Sequence, residues 1–369
     1  MRRSAKKPRI RSRLFFRKPK PPQPQVPPPT TRPWSKLPLL FVGHLLRRLQ
    51  VPDYIRFSSV CHAWHISKKR AQTPPAPQLP WLILPRQTHE SIITYYSLSE
   101  DCKYRLSLPS IYGYDCIASI KGWLLFESVT VHTLRFLANP LSAERYVLPN
   151  LPDSDFTLPK VTAAAISIPS SPSEGGTRIL IASGNVIVVW DLFSKVQTKT
   201  QLNFNVLEMV ATANNVYIVM ANLELVRYDL RTNEVTNIVQ LDVPQGELPW
   251  PSSEKDHFLV VTEDWDVLMV VVVYCVGADD KAMGVDRLEL YVPCDGVWVR
   301  MPPEVFGDLV LFLGFGGSSI GISIEKAGGR ARTAYVVPKR ERAKSLSNAR
   351  RVDLKWVEIN LESGEVSYK

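Results

Sequence analysis

From Trp34 to His65 the apolar positions keep a helical period. Leu37, Phe41, Leu45, Leu46 and Leu49 recur three and four apart, which places them on one side of a helix with Arg47 and Arg48 towards its polar side. Pro38 suits the first turn, where its missing N–H has no partner to lose. Val51-Pro52-Asp53 breaks that helix. Asp53 is expected to cap the next one, whose stripe runs Tyr54, Phe57, Val60, Cys61 and Trp64. Short helices of this kind carry more apolar surface than they can bury against one another, so something else must cover the remainder. Lys68-Lys69-Arg70 closes the helical region, and Thr73-Pro74-Pro75-Ala76-Pro77 reads as a linker.

From Leu79 onward the pattern becomes short runs of β-branched and aromatic residues punctuated by Gly, Pro, Asn and Asp. Ile92–Leu98 and Tyr104–Leu108 flank Ser99-Glu100-Asp101 as a hairpin. Val267–Val276 is the longest apolar run; it is about half the length of a membrane-spanning helix, and its valines predict a strand buried on both faces. A degenerate repeat pairs a strand end bearing Asp-Leu or a similar dipeptide with a polar turn and a return strand. Copies lie at Asn139-Pro140-Leu141, Trp190-Asp191-Leu192, Tyr228-Asp229-Leu230 and Ile359-Asn360-Leu361. Several strands per period of about 40–50 residues point to a propeller of roughly six or seven blades. The final copy is expected to complete a sheet begun near Leu79 and so close the ring. The predicted fold is mainly β with a small N-terminal α module. Its parts are a basic, proline-rich tail over 1–33, the helical module over 34–70, a linker over 71–80 and a β-propeller over 81–369.

Charge changes this picture at one end only. The formal net charge is +10 over 369 residues, but eleven Lys and Arg and no acid fall before Trp34, leaving 34 basic against 35 acidic residues in the remainder. The high pI therefore describes a tail, and composition does not support a folded nucleic-acid-binding face. The tail is too charged and too rich in proline to build a core, and disorder is expected. Three readings stay open for it: a solvated tail, an organellar transit peptide, or a nuclear-import signal formed by Arg2, Arg3, Lys6, Lys7, Arg17, Lys18 and Lys20. No apolar segment near the start suggests a secretory signal.

Candidate chemistry is sparse. The five cysteines are scattered without C-x-x-C spacing, and neither a metal nor another cofactor is expected. Gly317-Ser318-Ser319-Ile320-Gly321 fits G-x-S-x-G, but that chemistry needs a later His and none follows His257, so a hairpin turn is predicted. Glu263-x-x-Asp266 and Asp279-Asp280 read as solvated turn acids.

Two resemblances add to this reading. Leu37-Pro38, Leu45, Arg48-Leu49, Asp53, Arg56-Phe57 and Val60-Cys61-x-x-Trp64 resemble the F-box, departing at Leu40 (usually acidic), at His44 and at His65 (usually Arg). The resemblance implies docking on a Skp-like adaptor through Leu37, Pro38, Phe41, Leu45, Leu49, Val60, Cys61 and Trp64, and through it on a cullin-RING ubiquitin ligase. The β-rich region is similar to the plant F-box domain of unknown function 295, with a kelch-like propeller. Gly122-Trp123-Leu124-Leu125-Phe126, Asn139-Pro140-Leu141 with Leu148-Pro149, Phe258–Glu263, Gly296-Val297-Trp298-Val299, Gly307–Gly314 and Ala334-Tyr335-Val336 carry it, while Asp264-Trp265-Asp266 and the Lys339–Arg351 insertion depart. Together they imply a non-catalytic substrate receptor of an SCF-type ligase, binding an unknown target protein in the nucleus or cytoplasm, with no membrane partner. The alternative is a binding module outside such ligases, with a degenerate F-box, in nucleus or organelle.

Overall fold

The computed structural model describes residues 34–71, 73, 79–132, 134–140, 144–148, 161–169, 176–240, 254–262, 267–276, 283–306, 309–314, 316, 318–323, 325, 332–338 and 356–369. The basic tail, most of the expected linker, the acids at 263–266 and 279–280 and the Lys339–Arg351 insertion lie outside them. The chain divides into two compact units, Met1–Ala76 and Pro77–Lys369.

In the first unit a single 3-10 turn (Trp34–Lys36) precedes α1 (Leu39–Leu46), α2 (Val51–Phe57) and α3 (His62–Ala71). Pro38 is the N-cap of α1 rather than part of its first turn, and its carbonyl accepts the Val42 N–H at 3.1 Å. Gln50, not Asp53, caps α2. Pro52 decides this: without an N–H it is tolerated only at a helix start, so the helix begins just ahead of it. Asp53 lies inside the first turn and pairs with Arg56 at 3.1 Å. The expected Tyr54–Trp64 stripe is broken at 58–61, where the Ser58 hydroxyl donates to the Ile55 carbonyl at 2.8 Å and a turn separates α2 from α3.

The second unit is a six-bladed propeller. Blade one holds β1 (Leu82–Ile83), β2 (Ile92–Ser97) and β3 (Cys102–Ser107), the last two forming the expected hairpin. Blade two is β4 (Tyr114–Ile120), β5 (Trp123–Ser128), β6 (Arg135–Asn139) and β7 (Glu144–Val147). Blade three is β8 (Ala163–Ser167), β9 (Arg178–Ser183), β10 (Val186–Asp191) and β11 (Gln197–Gln201). Blade four is β12 (Val206–Ala211), β13 (Asn215–Met220), β14 (Leu225–Asp229) and β15 (Val235–Val239). Blade five is β16 (Lys255–Val260), β17 (Leu268–Val276), β18 (Met283–Cys294) and β19 (Val297–Met301). All are antiparallel meanders. Val267 to Tyr274 is buried throughout, as the valine run predicted.

The sixth blade holds β20 (Leu309–Leu313), β21 (Ile320–Ser323), β22 (Thr333–Val336), β23 (Val357–Asn360) and β24 (Val366–Tyr368) in the order β21-β20-β22-β23-β24, with β20 and β22 parallel. Its β20–β21 loop holds Gly316 at a φ of +64°, against the carbonyl of Ile117. Ile117 is the bulged residue of β4, and the approach leaves no room for a Cβ.

Apolar clusters join each sheet to the next. Ile93 packs with Phe126 and Phe136, Leu137 with Ile179, Leu180 with Ile218, Leu225 with Met269, and Leu290 with Leu311. The ring closes differently from the expectation. β24 pairs with β23 inside the sixth sheet, and among the described residues the first sheet takes no strand from it. Closure rests instead on side chains: Leu82 and Leu84 pack with Val310, Phe312, Tyr335 and Trp356. The Trp356 ring lies 5.2 Å from that of Tyr96 and 5.7 Å from that of Tyr335.

Three of the repeat copies are one physical device. Asp191 Oδ1 accepts the N–H groups of Phe193 and Ser194, Asp229 Oδ1 those of Arg231 and Thr232, and Asn360 Oδ1 those of Glu362 and Ser363. Each is an Asx turn that heads the last hairpin of its blade, followed by a residue with positive φ at Lys195, Asn233 or Gly364.

Candidate protein-docking site

The helical unit has a core of three fully or nearly fully buried side chains, Val42, Leu46 and Phe57, around which Leu37, Leu49, Tyr54, Trp64 and Ala71 pack. Trp64 stacks on Phe57 at 4.3 Å and donates its indole N–H to the Trp34 carbonyl at 2.7 Å. The Tyr54 hydroxyl donates to the Thr73 carbonyl at 2.7 Å. The Lys68 ammonium donates to the Tyr54 carbonyl at 2.7 Å and sits 3.9 Å from the ring centre. Burial holds this ammonium below the usual lysine range and pushes the Tyr54 hydroxyl up. These bonds fix three short helices that could not hold one another by propensity alone.

With Val42 and Leu46 turned inward, α1 presents its other side to solvent. Leu40 is 81% exposed, Phe41 60% and Leu45 42%, and Val60, in the turn before α3, is 60% exposed. Of the eight positions implied by the resemblance, Pro38, Phe41, Leu45 and Val60 are exposed, whereas Leu37, Leu49, Cys61 and Trp64 are half-buried. Leu46, read from the sequence as part of the same stripe, belongs to the core. Leu40, which lies outside that stripe, is the most exposed apolar residue of this face, and Leu39 is exposed at the start of the helix. Nearly every position of α1 is apolar, so periodicity carries no information about which side is inward. The usable signal is the Val42–Gly43–Leu46 set, small and aliphatic at helical spacing.

The propeller shows no catalytic arrangement among its described residues. The Ser319 hydroxyl accepts the Gly314 N–H at 3.1 Å and donates to the Gly314 carbonyl at 2.9 Å, tying the turn that its sequence predicted. Cys116 is a structural thiol, pushed up to about 12 by burial, far from the thiolate that nucleophilic chemistry needs. A shallow cleft of about 400 Å³ is lined by Leu288, Glu289, Arg300, Met301, Pro302 and Glu304. Burial pushes the Glu289 carboxyl up, but its bonds to Arg287 and the Tyr291 hydroxyl, with Arg300 nearby, outweigh that and hold it below the usual range. A carboxylate so satisfied is structural. No described group of three or more His, Cys, Asp or Glu could hold a metal ion, and no described helix is long and apolar enough to cross a membrane.

Comparison with known proteins agrees with both units. The F-box domain model matches residues 34–69, and the KIB1-4 beta-propeller model matches residues 95–357. From Arabidopsis thaliana, F-box protein At3g56470 is 26% identical over 198 residues, covering 50% of this chain. The chain spans only about half of that relative (51% of its length). F-box/kelch-repeat protein At1g57790, also from Arabidopsis thaliana, is 26% identical over 290 residues, 76% of each chain. Among solved structures, the N-terminal domain of Nup159 aligns with 61% of this chain and 62% of its own at 14% identity, with a TM-score of 0.32. The chain belongs to the KIB1-4 beta-propeller family and carries an F-box domain ahead of the propeller.

Proposed function

We propose that this protein is the target-recognition subunit of an SCF-type ubiquitin ligase, docking a Skp-like adaptor through the F-box and holding a target protein on the propeller. The carrying observation is the exposed Leu40–Phe41–Leu45 face of α1, set on a small core that keeps it rigid. Apolar side chains held exposed at such density mark a surface that another protein covers. The chain contributes no bond-making group in this reading. It contributes proximity, raising the effective concentration of target lysines at the transfer site.

Co-purification of a Skp-like adaptor with the full chain tests this. Phe41→Ala/Leu45→Ala is expected to cut recovery by about tenfold or more, since central apolar anchors typically contribute roughly 2 kcal/mol each. Unchanged recovery overturns the reading in favour of a binding module outside such ligases. For location, the proposal is nuclear and cytoplasmic, with residues 1–33 directing import. A fluorescent reporter fused to those residues should accumulate in the nucleus; delivery to an organelle would reverse it.

A further inference from the structure

The charges of the helical module are as uneven as its apolar residues. Residues 34–71 hold seven Lys and Arg against one acid, a net +6, whereas residues 72–369 carry 27 against 34, a net −7. Within the F-box the lone acid, Asp53, is already paired with Arg56 at 3.1 Å. Lys36 lies just ahead of α1, Arg47 and Arg48 just after it, and all three are exposed. None makes an ion pair among the described residues, and no other carboxylate exists between Trp34 and Ala71 to supply one. His44 lies on the exposed side of the helix between Leu40 and Phe41, one turn along, and adds no negative charge to that side.

We propose that the partner surface receiving α1 is an apolar groove rimmed by carboxylates, so that attraction to Lys36, Arg47 and Arg48 strengthens and orients docking. This rests on the adaptor reading above and adds the chemistry of the surface the adaptor must present. A neutral or basic groove would bring uncompensated cations to the edge of an interface and desolvate them without a partner. An anionic polymer would suit the cations but has no use for Leu40, Phe41 and Leu45.

Binding of the full chain to a purified Skp-like adaptor is measured by titration at about 0.05 M and about 0.5 M NaCl, between which screening shortens from well beyond ion-pair range to roughly contact distance. Affinity is expected to fall about tenfold or more across that range. At low salt Arg47→Glu/Arg48→Glu should weaken binding by about tenfold or more, chiefly through slower association, and the gap should narrow at high salt. Arg47→Gln/Arg48→Gln should lie between, which separates rim charge from any disturbance of the helix end. Arg2→Glu/Arg3→Glu changes net charge equally and should stay within about twofold of wild type, because rim attraction is local.

Salt-independent binding, or equal losses from the rim and tail swaps, overturns this inference and leaves the adaptor reading standing. Absence of adaptor binding at every salt concentration overturns both. Salt-sensitive binding that survives Phe41→Ala/Leu45→Ala also overturns both, in favour of an anionic polymer-like contact.

Discussion

Asp229 shows how one side chain sets a turn. A single carboxylate oxygen accepts two backbone N–H groups, at 2.7 and 3.1 Å, and those bonds hold its carboxyl below the usual aspartate range despite a small opposing effect of burial. Asp191 is also held low: burial pushes it up, but the Ser194 and Phe193 N–H groups and Arg178 outweigh that. A carboxyl depressed on folding stabilises the native state above its unfolded pKa of about 3.9, and that contribution is lost as pH falls through the lower folded value. Urea melts taken from pH 6 down to pH 2 should therefore show stability falling below about pH 4. Asp229→Asn should flatten part of that fall while keeping the turn, because Asn360 performs the same task with an amide oxygen. Asp229→Ala should cost about 1 kcal/mol at neutral pH. The Asp-Leu dipeptides were visible in the sequence as a repeat. Their role was not, because an Asx turn is defined by where the following N–H groups point.

At the scale of the element, α1 separates what sequence can and cannot report. Its existence follows from apolar density and the flanking prolines, but its inward face does not, because the helix is apolar nearly all round. Melting of the full chain should distinguish the two sides. Leu46→Ala should lower the stability of the helical unit by about 2–3 kcal/mol, as for any large-to-small change in a core, while Leu40→Ala should move it by less than about 0.5 kcal/mol. A similar cost from both would mean that Leu40 is not a surface residue. The strands were easier to read. The Ile92–Ser107 hairpin follows from alternation, every second residue of β3 being exposed, and the buried β17 from its valine run, both of whose faces meet apolar neighbours. Buried charge was illegible: Glu127 and Arg135 sit opposite each other on β5 and β6, almost wholly enclosed and bonded at 2.7 Å, and neither stands out in the sequence.

For the whole molecule, the propeller class was legible from the repeat period, while the number of blades and the manner of closure were not. Only hairpin copies with an Asx head repeat recognisably, and the sixth blade departs from the meander through its parallel β20–β22 pair. Closure depends on rings and aliphatic side chains contributed by distant segments, which no local pattern announces. Trp356→Ala empties the middle of that seam and should cost about 3–5 kcal/mol, the usual range for a buried tryptophan. Calorimetry should show a lower midpoint; an unchanged midpoint would mean that the ring does not depend on this contact. The same seam bears on how the molecule is made. Blades one to five are each woven from strands that follow directly in the chain, and among the described residues none takes a strand from the sixth, which touches blade five's backbone through an isolated Val261–Ile320 bridge. On a ribosome, the strands of five of the six hydrogen-bonded sheets therefore all emerge before Leu309, and the sixth arrives as a wedge to be fitted rather than as a missing strand to be threaded.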